Sequence, residues 1–267
     1  MRLLLIGLFL MAGAAFAEPA ELHVAGEIAP ALKTIDQRVM RGYTHHRITH
    51  ITFHHEGFAG TDAALFAKAS RARKRQSLTE RVLNINHYHA TAAGLGMIAY
   101  HYVVAPDGKI AKARPVKYKP ATMSTKWGSS QRADFAGHFA VMALGDFNHE
   151  VLTEEARLSM VKVMSEAQRA YRVPTHLIQP HRTHANTSCP GETMLQQAED
   201  LAQRVVIYGI QSELAARSCG GTPEGVAGPD TMRALKSLSE VSGFDVSGGL
   251  GDALLFALLE APERRCK

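Results

Sequence analysis

Cysteine is scarce in this chain, three residues in 267, so no disulfide-dense scaffold is available and the fold must rest on an ordinary hydrophobic core. At 46% hydrophobic and 21% charged residues the composition supports such a core, and nothing in it suggests disorder. No apolar run beyond the first residues is long enough to cross a bilayer, so no membrane span is expected once the N-terminal leader is gone. Charge of one sign is also lacking. Lys+Arg 30 against Asp+Glu 25 leaves only +5, too little to argue for nucleic acid, and no nucleic-acid motif is present. The small positive balance suits an anionic polymer.

The chain begins MRLLLIGLFLMAGAAFAEPA. Arg2, the apolar run Leu3 to Met11 and the small-x-small triplet Ala15-Phe16-Ala17 read as a secretory leader, residues 1–17, cleaved after Ala17. No cysteine lies near the cut, so no lipoprotein anchor is expected. The mature chain should be exported, to the periplasm or the exterior, where cysteines are oxidised. An odd number of cysteines gives one of them another role. A Cys219–Cys266 disulfide with Cys189 kept for a metal is the simplest partition.

Residues 18–45 show no strong period and are expected to wrap as an N-terminal arm. "RITHITFHH", residues 47–55, is rich in β-branched residues and predicts a strand ending in paired histidines. Residues 61–92 lean helical, with the basic run Arg71 to Arg75 expected as a solvated loop. "MIAYHYVVAPDGKIAKAR" predicts strand, Pro-Asp-Gly turn, strand. Residues 115–137, rich in Pro, Gly, Ser and Thr, predict a long loop, and "HFAVMALGD", 138–146, a central strand. Thr153, Glu154 and Glu155 cap a helix over 153–171, with Ala156, Met160, Val161, Met164, Ala167 and Tyr171 on its apolar face. A strand near 176–179 and a helix from Glu192 to Val206 follow. The fold expected is α/β, a mixed central sheet flanked by helices over residues 46–207, plus a small all-α domain over 208–267 with Pro229 at a helix start.

"PHRTHANTSCPG", residues 180–191, is a poor place for core packing and a good one to hold a metal. His181 and Cys189 offer an imidazole and a thiolate, and a catalytic zinc site needs a third protein ligand and one open position. The strand-end pair His54-His55 is the best-placed source.

"ITFHHEG", "AYHYVVAPDGKIAKAR" and "PHRTHANTSCPG" together resemble the three signature blocks of zinc-dependent N-acetylmuramoyl-L-alanine amidases, in the branch shared by phage lysozyme-type amidases and peptidoglycan recognition proteins. The resemblance spans residues 46–200, with the blocks in family order. It implies His54, His181 and Cys189 as ligands of one zinc ion per chain, with Tyr100 and Thr187 as active-site residues. The substrate implied is peptidoglycan, cut at the amide between N-acetylmuramic acid and L-alanine, and a monomer is expected. Such a cation lowers the pKa of water toward ~7 and polarises an amide carbonyl, while the Tyr100 phenol or the Thr187 hydroxyl donates to the developing oxyanion.

Some positions depart from the family. Met142 stands where intracellular recycling amidases carry a glutamate, and Gly94-Leu95-Gly96-Met97-Ile98-Ala99 replaces the usual Gly-Trp-x-Asp-Ile-Gly. His89 or His87 is available to support the site from the preceding helix. The C-terminal segment more faintly resembles a helical peptidoglycan-binding repeat through Glu224-Gly225-Val226-Ala227-Gly228-Pro229-Asp230-Thr231, with Glu for the usual Asp. Two other classes compete with the hydrolase: a non-catalytic wall-binding receptor, and a peptidase with Cys189 as nucleophile paired with His181.

Overall fold

The computed structural model describes residues 19–43, 47–57, 63–122, 136–261 and 265–266. The expected leader, 1–17, lies outside them, as do 123–135 of the expected long loop; residues 115–122 carry no regular element. Among the described residues no helix is long and apolar enough to cross a membrane.

Five strands, β1 (His50–His55), β2 (Tyr102–Val104), β3 (Ile110–Lys112), β4 (His138–Ala143) and β5 (Ile178–Pro180), form one sheet in the order β3-β2-β4-β1-β5. The pairs β1/β4, β1/β5 and β2/β4 are parallel, and only the edge strand β3 is antiparallel. It follows β2 through the turn at Pro106-Asp107-Gly108, where Gly108 takes the left-handed φ of +79° that the tight reversal needs. The sheet is mixed because this short hairpin sits on three parallel crossovers. β5 starts two residues later than expected because Thr175–Leu177 forms a 3-10 turn first.

Strand parity explains how the sheet divides the molecule. On β1, Ile51 and Phe53 face a core shared with Phe139 and Val141 of β4 and with Met160, Val161 and Met164 of a long helix. On the other face β1 presents His50, Thr52 and His54, an unusual polar row on a buried strand. That face is covered by a second core of Met40, Leu78, Val82, Ile98, Val103 and Met142.

The helices are α1 (Gln37–Met40), α2 (Ala63–Lys74), α3 (Leu78–Thr91), α4 (Glu154–Tyr171), α5 (Glu192–Leu195), α6 (Ala198–Ala216), α7 (Pro229–Ser242) and α8 (Asp252–Glu260). α4 begins at Thr153, whose Oγ1 accepts from the Ala156 N–H at 3.2 Å. The basic run departs from expectation: Arg71, Arg73 and Lys74 belong to the last turn of α2. Arg and Lys are good helix formers and suit the negative end of the helix dipole. The break comes at Arg75-Gln76, ahead of a capping box in which Ser77 and Glu80 exchange hydrogen bonds.

The N-terminal arm shields the sheet edge. Ile28 bonds to Ile110 and Lys112 of β3 at 2.9 Å each, and Leu22 and Val24 are buried in the main core.

The helix expected to end at Val206 also differs. It is split into α5 and α6, and α6 continues to Ala216, so the boundary expected at 207/208 falls inside it. Gly209 in mid-helix does not stop it. A Cβ there would meet Leu255 and Ser165 at 3.1 Å, so the glycine lets α6 approach α4 and α8 closely. The last half of α6 then shares a core with α7 and α8: Val206, Ile210, Leu214, Leu235, Leu238, Leu255 and Leu258. Cys219 and Cys266, 47 residues apart, form a disulfide beside it.

Candidate metal centre

The polar row on β1 points at the loop after β5. His54 is completely buried, its ring centroid 4.5 Å from that of His181 and 5.1 Å from that of Tyr100. His181 opens the single turn that follows β5, and Cys189 closes the loop eight residues later. The donor atoms of His54, His181 and Cys189 all lie within 4.8 Å of one another, the one such cluster among the described residues. Around a tetrahedral zinc a sulfur and a nitrogen ligand sit about 3.6 Å apart. Cys189 Sγ and His54 Nδ1 are separated by 3.7 Å.

The electrostatics agree with that geometry. Burial, then neighbouring His181, holds His54 well below the ordinary imidazole range, and burial, then His184, lowers His181 to about 4. Both rings are therefore neutral at pH 7, the state that offers a lone pair to a cation. Burial pushes the Cys189 thiol up to about 12, opposed by the His55 backbone N–H, which donates to Sγ at 3.4 Å. The donor set fits zinc: two neutral imidazoles and a thiolate would leave one net positive charge on the ion.

A family model described as N-acetylmuramoyl-L-alanine amidase matches residues 44–192, more than half of the chain. The chain belongs to the N-acetylmuramoyl-L-alanine amidase family. Among solved structures, an endolysin N-acetylmuramoyl-L-alanine amidase from Clostridium intestinale is 18% identical, over 67% of this chain and 95% of its own, with a TM-score of 0.46. Drosophila peptidoglycan recognition protein SD is 17% identical over 63% and 86%, with a TM-score of 0.44. An endolysin from a Thermus scotoductus bacteriophage is 18% identical over 62% and 92%, with a TM-score of 0.43. No curated protein sequence matches the chain.

In this family member the paired histidines separate by strand parity. His54 faces the cluster, whereas the His55 ring turns to the opposite face, where its Nδ1 accepts from the Phe147 N–H at 3.2 Å. Tyr100, Thr187, His181 and Cys189 line one groove of about 670 Å³. Burial first, then Cys189 and Glu56, raises the Tyr100 phenol, which stays protonated and able to donate. Thr187 has a structural task as well: its Oγ1 accepts from the Cys189 N–H at 3.1 Å. Of the two supporting histidines, His89 lines the groove and accepts from the Ala99 N–H at 3.1 Å, just before Tyr100, while His87 is exposed and does not.

Sequence reasoning missed four residues here. Arg182 braces the ligand loop, donating to Thr187 O at 3.1 Å and Ser188 O at 3.2 Å. A Cβ on Gly191 would sit 2.4 Å from the Phe147 backbone, so only glycine lets this loop close against the segment that follows β4. Glu56 and Arg81 pair in the groove wall. The alternation of β1 was the available signal for Glu56, which shares the face of His54. The other three depend on contacts between distant segments.

Buried histidines make the metal-free fold acid-sensitive. Burial, then Arg114, lowers His89 to about 4, and burial, then His50, lowers His184 to about 4. The ordinary value is 6.5, so between these limits the unfolded chain binds more protons than the folded one. Their contribution is therefore fully present above pH 6.5 and is lost as the pH falls toward 4. Each is worth on the order of 1–3 kcal/mol after allowance for partial exposure. Denaturant midpoints of metal-free protein should fall across this interval and stay flat above it; a flat profile throughout would contradict the assignment.

Proposed function

We propose that the protein is an exported zinc amidase that hydrolyses the amide between N-acetylmuramic acid and L-alanine in peptidoglycan. The observation that carries this reading is the three-donor cluster in a chain of this family, with His181 and Cys189 lining a groove and His54 fully buried beside them. Held by His54, His181 and Cys189, zinc would supply a Lewis acid for the amide carbonyl and an activated water.

The chain's own groups do the rest. His54 and His181 offer fixed, neutral nitrogens from a rigid strand and the turn after β5, and the His55 N–H favours the thiolate form of Cys189. In this reading Tyr100 O–H donates to the carbonyl oxygen as negative charge develops there, and Thr187 O–H, which lines the same groove, is a second donor. Ile85 and Tyr88 of α3 give the groove a partly apolar wall against which a peptide can lie.

Tyr100→Phe keeps the ring packing and removes one donor. It should lower kcat by about 10²–10³ with KM within a few-fold. An unchanged kcat would remove Tyr100 from the mechanism. The overall reading is tested by release of free N-terminal L-alanine from purified peptidoglycan, with and without chelator. Binding without release would support a receptor, and metal-free activity lost on alkylation would support a cysteine peptidase.

The C-terminal helices are proposed to hold the enzyme on the polymer, which raises its effective concentration at the wall. They contribute a cavity of about 580 Å³ between α6, the 220–228 segment and α7. The repeat-like residues also have folding roles. Gly225 has φ +71°, Pro229 opens α7, and the Thr231 hydroxyl is bonded to Gln211, whose side chain also binds the 224–226 backbone. The disulfide is consistent with export.

A further inference from the structure

Tyr100 stands in a stretch without regular structure. Residues 98–101 precede β2 and belong to no strand, yet Ile98, Ala99 and His101 are almost fully buried. Buried peptide groups need partners, and outside a strand the ladder does not supply them all. Tertiary contacts do. Ile98 N–H donates to Asn86 Oδ1 at 2.9 Å, and Ile98 O accepts from Arg114 Nη1 at 3.0 Å. Ala99 O accepts from the Ala121 N–H at 3.1 Å, and Tyr100 O from the Arg114 N–H at 3.0 Å. The Ala99 N–H, in the residue before Tyr100, donates to His89 Nδ1 at 3.1 Å.

Of the three side chains in this frame, two belong to the interior. Asn86 and Arg114 are 1% and 0% exposed and tie other segments as well, Asn86 Nδ2 donating to Thr34 O and Arg114 Nε to Lys119 O, each at 2.8 Å. His89 is different. It follows Asn86 by three residues on α3 and so shares its helix face, but it is half-buried and lines the groove. Its ring centroid lies 6.0 Å from that of Tyr100. Because Nδ1 accepts, the proton of the neutral ring sits on Nε2. Packing does not call for an imidazole in a groove wall, whereas a buried N–H beside Tyr100 calls for an acceptor. A donor to a developing oxyanion must be in place before the charge forms, and a displacement of about 1 Å costs on the order of 10²-fold.

We infer that His89 is a positioning residue for Tyr100: by accepting the Ala99 N–H it fixes the segment that aims the phenol, and it acts on the reaction through that residue. The inference rests on the part given to Tyr100 in the proposed hydrolysis and names what holds it there.

The test uses the zinc-loaded full chain and three variants. His89→Leu fills similar space without an acceptor, His89→Asn places Oδ1 as many bonds from Cα as Nδ1, and the third joins His89→Leu to Tyr100→Phe. Zinc content, Tm, kcat and KM on a soluble N-acetylmuramyl tripeptide are measured, with the ring NMR signals of Tyr100, assigned by their loss in Tyr100→Phe. His89→Leu should lower kcat about 10–100-fold, leave KM within about threefold and zinc content unchanged, and shift the Tyr100 signals. His89→Asn should recover kcat to within about fivefold of wild type and move the signals back. In the Tyr100→Phe background His89→Leu should cost no more than about threefold, because the donor it positions is gone. If His89→Leu fails to fold, His89→Ala, which removes the acceptor without adding bulk, replaces it in every comparison. A histidine with a purely structural role would cost the same factor in both backgrounds and would not be rescued by asparagine; either result overturns the inference, as do unmoved Tyr100 signals in His89→Leu. If the wild type cleaves nothing, signals that shift in His89→Leu and return in His89→Asn uphold the positioning and overturn the hydrolase instead.

Discussion

Cys189→Ser should abolish stoichiometric metal binding and reduce peptidoglycan cleavage by about 10³-fold or more. Losing a group that merely orients a ligand costs 10–100-fold in affinity or activity, and loss of a ligand itself costs more. Serine is nearly isosteric but offers a neutral hydroxyl where the site has a thiolate. The Sγ position is set by three features that survive the substitution: the His55 N–H at 3.4 Å, the Thr187 bond to the Cys189 N–H, and the closure of Gly191 on the Phe147 backbone. The fold should therefore persist while the donor chemistry is lost, and the loss can be read as chemistry. His54→Ala should give the same phenotype from the strand side of the cluster. Elemental analysis of purified wild type and both variants, alongside activity, checks this. Full activity in Cys189→Ser, or wild-type protein that binds no zinc, would remove the metal from the account.

Shortening the chain to end at Ser218 should leave a protein that fails to fold stably. α8 is bonded into the α4–β5 edge: Asp252 accepts from the Thr175 N–H at 2.9 Å and from its hydroxyl at 2.5 Å, and Gln168 Nε2 reaches Asp252 at 3.2 Å. Buried Arg217 ties α6 to the end of α8 through Leu258 O at 2.7 Å, and Glu213 joins Arg217 to Arg169 of α4 at 2.6 Å on each side. Truncation would expose Val206, Ile210 and Leu214, each almost fully buried. At roughly 1.5–3 kcal/mol per side chain this approaches the whole stability of a typical domain. The disulfide across 47 residues adds about 4 kcal/mol in the chain-entropy model.

A gentler probe is Leu255→Ala, which should cost about 2–5 kcal/mol and lower Tm by roughly 5–15 °C. Scanning calorimetry should show one transition for the full chain. A truncated protein with wild-type Tm would mean that the C-terminal helices are an independent tethered module.

The wall of Arg73, Arg81 and Glu56 shows how one segment can be read in two ways. As sequence, "RARKR" is a charge run, and a charge run is usually a solvated face. In the structure Arg73, in the last turn of α2, turns to Glu56, with its Nε 3.5 Å from that carboxylate.

Much of the chemistry was legible from residue types and spacing alone. His181 and Cys189 stand in one loop too irregular for core packing, the β-branched run 47–55 announces a strand, and Thr153 with its acidic neighbours announces α4. These signals are local: strand alternation, helix caps and turn residues act within a few positions of the chain. Choosing between His54 and His55 without the family resemblance required knowing which face of β1 meets the ligand loop, and that depends on how β4 and β5 flank it. The continuation of α6 past Val206, the place of Gly209 and the pairing of Glu56 with two arginines were likewise decided by tertiary docking. They arise where segments far apart in sequence exclude water together, and the free energy of that burial belongs to the packed assembly.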